Sequence, residues 1–158
     1  MALADSEAFS GFAVDDLAAA REFYGTTLGL RVSDVPGNRW LMRLNLAGGR
    51  DVLVYQKPDH APASYTILNF PVQDVGAEVE ELAGHGVVFQ RYDGMPQDAA
   101  GVMRGNGPDI AWFTDPAGNI LSVVAQDCPA HPRRSMLASS PPRMSTHTRS
   151  LPSRSSAQ

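Results

Sequence analysis

The sequence predicts an α+β fold built from two βαβββ modules, and three observations carry it. The stretch Phe12-Ala13-Val14-Asp15-Asp16-Leu17-Ala18-Ala19 is answered 58 residues later by Phe70-Pro71-Val72-Gln73-Asp74-Val75-Gly76-Ala77, with Phe, Val, Asp and Ala recurring in register. Each copy reads as a strand end, an aspartate, then an amphipathic run. Each is followed by short apolar segments separated by Gly, Pro and Asn, the punctuation of strands rather than helices.

The first strand is Ala8–Val14, rich in apolar residues. Asp16 is a good N-cap, because a carboxylate can accept a backbone N–H of the first helical turn. The helix Leu17–Leu28 sets Leu17, Ala20, Tyr24 and Leu28 near one face, and Gly29 closes it. Leu30–Val35 is the next strand, ended by Pro36-Gly37-Asn38. Arg39–Leu46 alternates: Trp40, Met42, Leu44 and Leu46 share one face, and Arg39, Leu41, Arg43 and Asn45 the other. Gly48-Gly49 turns the chain into the strand Asp51–Gln56, and Lys57–Ser64, with two prolines, connects the modules.

The second module repeats the order, with strand Tyr65–Pro71, the cap Asp74, helix Val75–Ala83 and strand Val87–Tyr92. A long Gly-rich loop, Asp93–Asp109, holds one short strand near Val102. Ile110–Thr114, the turn Asp115-Pro116-Ala117-Gly118-Asn119 and Ile120–Ala125 complete the module. The modules span about residues 8–56 and 65–126, within a domain of 1–126. Beyond it, residues 127–158 hold eight Ser and five Pro. That composition cannot bury enough surface to offset its ordering entropy, so a disordered tail is expected.

Charge and composition exclude several functions. Residues 1–126 carry eight Lys and Arg against sixteen Asp and Glu, while the tail carries five Arg against Asp127. An acidic body does not favour nucleic-acid binding. No apolar run reaches the roughly 18 residues of a membrane span, and the first residues lack the basic start of a signal peptide. Cys128 is the only cysteine, so an intrachain disulfide and a cysteine-based zinc site are both excluded. A reducing cytoplasm is the expected setting. There is no phosphate loop, dinucleotide fingerprint or serine elbow.

Val14-x-Asp16-Leu17, Phe23-Tyr24, Leu28-Gly29-Leu30 and Asp115-Pro116-Ala117-Gly118-Asn119, in this order, resemble the vicinal oxygen chelate superfamily of glyoxalase I, bleomycin-resistance proteins and extradiol dioxygenases. The resemblance covers residues 8–126. It implies paired modules whose sheets curve into a cup, a ligand or metal inside the cup, and commonly a homodimer. In metal-dependent members a His lies seven residues before each capping Asp. Here those positions are Phe9 and Ile67. A Glu three residues after the turn Asn is Ser122 here, and its counterpart in the fourth strand falls at Leu53 or Val54.

The residue inventory points the same way. The histidines are His60, His85, His131 and His147, and no expected strand contains a His or a Glu. A divalent ion needs imidazole or carboxylate donors converging on one point. No metal and no other cofactor is therefore expected.

If Phe9 and Ile67 face the cup, alternation sends Gly11, Ala13, Asn69 and Pro71 there too. The candidate ligand-binding residues are Phe9, Arg43, Tyr55, Ile67, Asn69, Trp112 and Ser122, with no catalytic residue assigned. Each has a plainer role available: Asn69 could satisfy a buried backbone group, Arg43 could sit on an exposed edge, and Tyr55 and Trp112, like Trp40, could be core. The loop 93–109 reads equally as a lid or as a surface loop.

The function expected first is a metal-independent, bleomycin-resistance-like protein binding a small organic molecule in an apolar cup. The alternative is a metal-free lyase or isomerase acting on a hydrophobic substrate, with a metal-dependent glyoxalase or dioxygenase behind it. A third class makes the basic tail the working part. The expected partners are a small molecule and a second copy of the chain, with no nucleic acid and no membrane.

Overall fold

The first strand of each module ends up on the outside of its sheet, and this decides where a site can form. The structure, a computed structural model, describes residues 3–126. The expected disordered tail, with Cys128, lies outside the described residues.

In module one, β1 (Ser10–Val14) is followed by α1 (Leu17–Glu22), then β2 (Arg31–Val35), β3 (Asn38–Asn45) and β4 (Val52–Gln56). In module two, β5 (Thr66–Val72) is followed by α2 (Val75–Gly84), β6 (Ile110–Thr114) and β7 (Ile120–Ala125). The sheets are ordered β1-β4-β3-β2 and β5-β7-β6. β1 runs parallel to β4 and β5 parallel to β7, while the hairpins β2–β3, β3–β4 and β6–β7 are antiparallel. This is the paired, mixed-sheet α+β fold expected from the repeat.

Both capping aspartates act as read. The Asp16 carboxylate accepts from the N–H groups of Ala18 and Ala19, and that of Asp74 from Ala77. The repeated Phe and Val face the core: Val14 is fully buried, and Phe12, Phe70 and Val72 pack against the core. One core cluster runs through both modules, from Val14, Tyr24, Met42 and Val54 to Phe113, Leu121 and Val123.

Four expectations are corrected. The helix expected over Leu17–Leu28 is α-helical only to Glu22 and continues as a π-helical turn, Phe23–Thr27, closed by a hydrogen bond from Leu28 N–H to the Phe23 carbonyl. The widened turn lets consecutive aromatics both reach the core. Tyr24 meets Phe12 at 5.8 Å and Phe23 meets Phe113 at 6.4 Å between ring centroids. Gly29, at φ +66°, then reverses the chain as expected.

The strand expected over Val87–Tyr92 is reduced to a single bridge, Phe89 to Phe113, with Gln90 N–H bonded to the Trp112 carbonyl. A side chain has displaced a strand. Gln97 donates to the carbonyls of Gln90 and Gly101 and accepts from Tyr92 N–H, so it takes backbone partners that a ladder would use. The short strand near Val102 is likewise reduced to isolated bridges, Met103 to Gln97 and to Ile110.

Trp40, expected on the core face of β3, is half exposed at 51%. It lies past the end of the core next to the β2–β3 turn, with the Arg39 guanidinium 4.6 Å over its ring.

The loop 93–109 is held by many bonds. Asp98 accepts from Ala100 N–H, Val102 N–H and Arg104, while Arg104 also pairs with Asp109 and Arg91 donates to the carbonyls of Asp98 and Ala99. The bond from Val102 N–H, with those from Arg104 and Ala100, holds the Asp98 carboxyl below its ordinary pKa. The loop's contribution is thus present above the ordinary carboxylate range near pH 4 and fades as the pH falls through the lowered value. Asp98→Ala should speed amide exchange at Ala100 and Val102 about tenfold with little change in global stability, read by hydrogen exchange. Unchanged exchange would show that the loop is held by other contacts.

Candidate functional site: a groove between two outer strands

β1 and β5 are each paired on one side only, and both line the same cavity along their length. The cavity encloses about 1640 Å³. That exceeds the roughly 300–1,000 Å³ of ordinary small-molecule pockets, and the cavity runs as a groove along the two strands. The connector between the modules forms part of its wall through Lys57, His60 and Tyr65.

The seven candidate residues separate cleanly. Phe9, Tyr55, Ile67 and Asn69 line the groove. Arg43, Trp112 and Ser122 do not. Arg43 sits on β3, two strands in from β1, and pairs at 3.8 Å with Asp51. Trp112 sits on β6, two strands in from β5, and packs edge-on against Tyr92 at 5.7 Å. Ser122, on β7, is fully buried, and its hydroxyl donates to Asn69 Oδ1 at 2.6 Å. Ser122 therefore orients Asn69 from beneath the groove.

His60 and Tyr65 line the groove without being among the seven candidates. Tyr65 stands just before β5 and is 69% exposed; His60 lies in the connector. Alternation from Ile67 and Asn69 already points Tyr65 to the groove, whereas a lone His between prolines carries no periodic signal, so only the path of the connector could find His60. That path is fixed by packing of Pro62 on Gly118, where a β-carbon would approach Pro62 Cγ to 3.1 Å. Gly118 also needs its φ of +84° to close the β6–β7 turn.

Three hydrophobic groove residues stand unusually open: Phe9 at 74%, Tyr65 at 69% and Tyr55 at 39%. The charges around them balance, with Glu7, Asp51 and Asp59 facing Arg31, Arg50 and Lys57. Lys57 Nζ bonds Asp59 at 2.8 Å, which lowers the Asp59 pKa.

Beneath the groove a polar network locks the modules together. Asp115 and Asn119 are nearly fully buried. The Asp115 carboxylate accepts from the Tyr24 hydroxyl at 2.8 Å, from Asn119 N–H at 2.8 Å and from Asn119 Nδ2 at 2.9 Å. Asn119 Nδ2 also donates to the Ala13 carbonyl of β1 at 2.9 Å. Burial first, then the adjacent Asp115 carboxylate, pushes the Tyr24 phenol well above its ordinary pKa.

A divalent metal does not fit these residues. Phe9, Ile67 and Ser122 stand at the positions from which strand ligands would come; the first two have no donor atom, and the Ser122 hydroxyl is spent on Asn69. Among the described residues no three His, Cys, Asp or Glu side chains gather at one point.

A βαβββ module and a βαββ module share one core, with an open groove along their first strands. A family profile described as Glyoxalase/Bleomycin resistance protein/Dioxygenase superfamily matches residues 8–123, and the chain belongs to this superfamily. No curated protein matches the sequence.

Several solved structures share the fold. An antibiotic-binding protein, TnmS3, from Streptomyces sp. CB03234 is similar at 20% identity and a TM-score of 0.57, over 77% of this chain and 97% of that one. A glyoxalase/bleomycin resistance protein from Catenulispora acidiphila is similar at 24% identity and 0.55, over 75% and 96%. A superfamily member from Sphaerobacter thermophilus is similar at 20% and 0.55, over 75% and 96%. Among the described residues no helix is long and apolar enough to cross a membrane.

Proposed function

We propose that the chain binds a small, neutral, planar organic molecule in the groove between β1 and β5, and that it does so without a metal. The observation that carries this reading is the set of exposed aromatics, Phe9, Tyr55 and Tyr65, lining one charge-balanced groove. Exposed aromatic rings are costly to leave wet and stack well on flat ligands. The positions a metal would need hold Phe9, Ile67 and Ser122. The antibiotic-binding relative shows that this fold can serve as a binding protein, and the reading here is likewise binding or sequestration in the cytoplasm. The binding unit is residues 1–126, and the groove's excess volume is narrowed by a second copy of the chain in a homodimer.

A panel of planar aromatic compounds, screened by thermal shift and followed by calorimetry, tests the proposal, because a ligand of the native state raises its melting temperature. Tyr65→Ala should weaken a hit about tenfold and leave the melting temperature of the free protein unchanged, since the ring is exposed. An unaltered affinity in Tyr65→Ala, or a stoichiometric divalent ion held in the groove of the purified protein, would sink the reading.

A metal-free lyase or isomerase remains the second reading. It needs a general acid or base against the substrate, and His60 is the imidazole in the groove wall. Turnover of a bound hit, absent in His60→Gln, would favour it.

A further inference from the structure

His60 is the one side chain among the described residues with a buried polar atom that meets nothing: its Nε2 has no hydrogen-bond partner. The residue lines the groove, as do the exposed rings of Tyr55 and Tyr65. Its backbone N–H bonds the Lys57 carbonyl at 2.9 Å, and Pro62, two residues on, packs against Gly118. The segment carrying His60 is thus fixed at both ends, while the imidazole itself is left unsatisfied.

A neutral imidazole has one donor nitrogen and one acceptor nitrogen, so Nε2 lacks a bond in either tautomer. An unmet buried polar group costs free energy until something meets it. Of the other polar groups lining the groove, Lys57 bonds Asp59 and Asn69 Oδ1 accepts from Ser122. A ligand stacked in the groove can supply the missing partner once the ring turns about its Cβ–Cγ bond.

We propose that His60 is the specificity-determining group of the groove, and that it selects planar aromatic ligands bearing a ring hydroxyl. A phenolic hydroxyl both donates and accepts, so it complements either tautomer. It is also neutral, as the balanced groove charges require. This rests on the binding function proposed above and names the ligand class that the site prefers.

The test compares 2-naphthol with 2-methylnaphthalene, two flat compounds of similar size that differ in the hydroxyl. Affinities are measured by calorimetry on the full chain, and the His60 ring signals are followed by NMR. The wild type should favour 2-naphthol about tenfold, with a shift of the His60 ring nitrogen signal on binding. His60→Leu should remove the preference by weakening 2-naphthol alone, with an unchanged or higher melting temperature because an orphaned polar atom has gone. His60→Gln should restore part of the preference. A preference kept in His60→Leu, or an equal loss for both compounds, overturns the assignment and leaves the binding function standing. Binding of neither compound, nor of any planar aromatic in the panel, overturns the binding function and this assignment with it.

Discussion

Asp115→Ala is expected to destabilise the protein by about 3–5 kcal/mol, because it strips the acceptor from three buried donors at once. Those donors are the Tyr24 hydroxyl and the Asn119 N–H and side-chain amide. Only the Asn119 amide retains another partner, the Ala13 carbonyl. A loss of this size should lower the melting temperature by roughly 10–20 °C, measurable by calorimetry. Tyr24→Phe removes one bond and should cost about 1–2 kcal/mol. In a double-mutant cycle the two changes should be non-additive by about 1–2 kcal/mol, since they share a bond. Additive losses would mean that the network does not act as a unit.

The same tyrosine gives a pH signature. Its folded pKa lies above the unfolded value of about 10. The stability it confers is therefore complete below pH 10 and is lost as the pH rises beyond it, because only the unfolded chain can then shed the phenol proton. Wild-type stability should fall above pH 10 with up to about 1.4 kcal/mol per unit from this residue. Tyr24→Phe should remove that part of the slope. An identical alkaline slope in the variant would place the titrating group elsewhere.

Phe113→Ala is the second large effect, expected at about 3–5 kcal/mol for a fully buried ring. The ring of Phe113 stands between Phe89, at 5.6 Å, and Phe23 of module one, at 6.4 Å. Its removal opens a cavity at the junction of the two modules. The two tryptophans make the outcome readable, because Trp40 reports module one and Trp112 module two. In single-tryptophan backgrounds both probes should move to the same lower denaturant midpoint, as one cooperative core requires. A midpoint that falls for Trp112 and stays for Trp40 would show two independently folding modules. Phe113→Leu, which keeps most of the volume, should cost only about 1–1.5 kcal/mol.

Much of the scaffold was legible in the residues because it is encoded locally. An aspartate cap satisfies N–H groups two and three positions away, and strand alternation repeats every second residue. Those short-range rules placed Asp16 and Asp74, the core-facing Phe12, Val14, Phe70 and Val72, and the turn at Asp115–Asn119. They failed at Val87–Tyr92, where the amide of Gln97 replaced a strand partner. They also failed at Phe23–Thr27, where packing of two adjacent aromatics favoured a wider helical turn.

By itself the sequence determined two related βα-initiated modules, their caps and turns, and, through the family resemblance, the residues Phe9, Ile67 and Ser122 at the expected metal positions. The tertiary structure alone decided which candidates meet. Packing turned Arg43 to Asp51 and Trp112 to Tyr92, outside the groove, and made Ser122 a buried support for Asn69. The path of the connector brought His60 into the wall. The physical reason is one of range. Periodicity says which side of a strand a residue faces, whereas neighbours across a groove are set by which strands are outermost and how two modules pack through Tyr24, Asp115, Asn119 and Phe113.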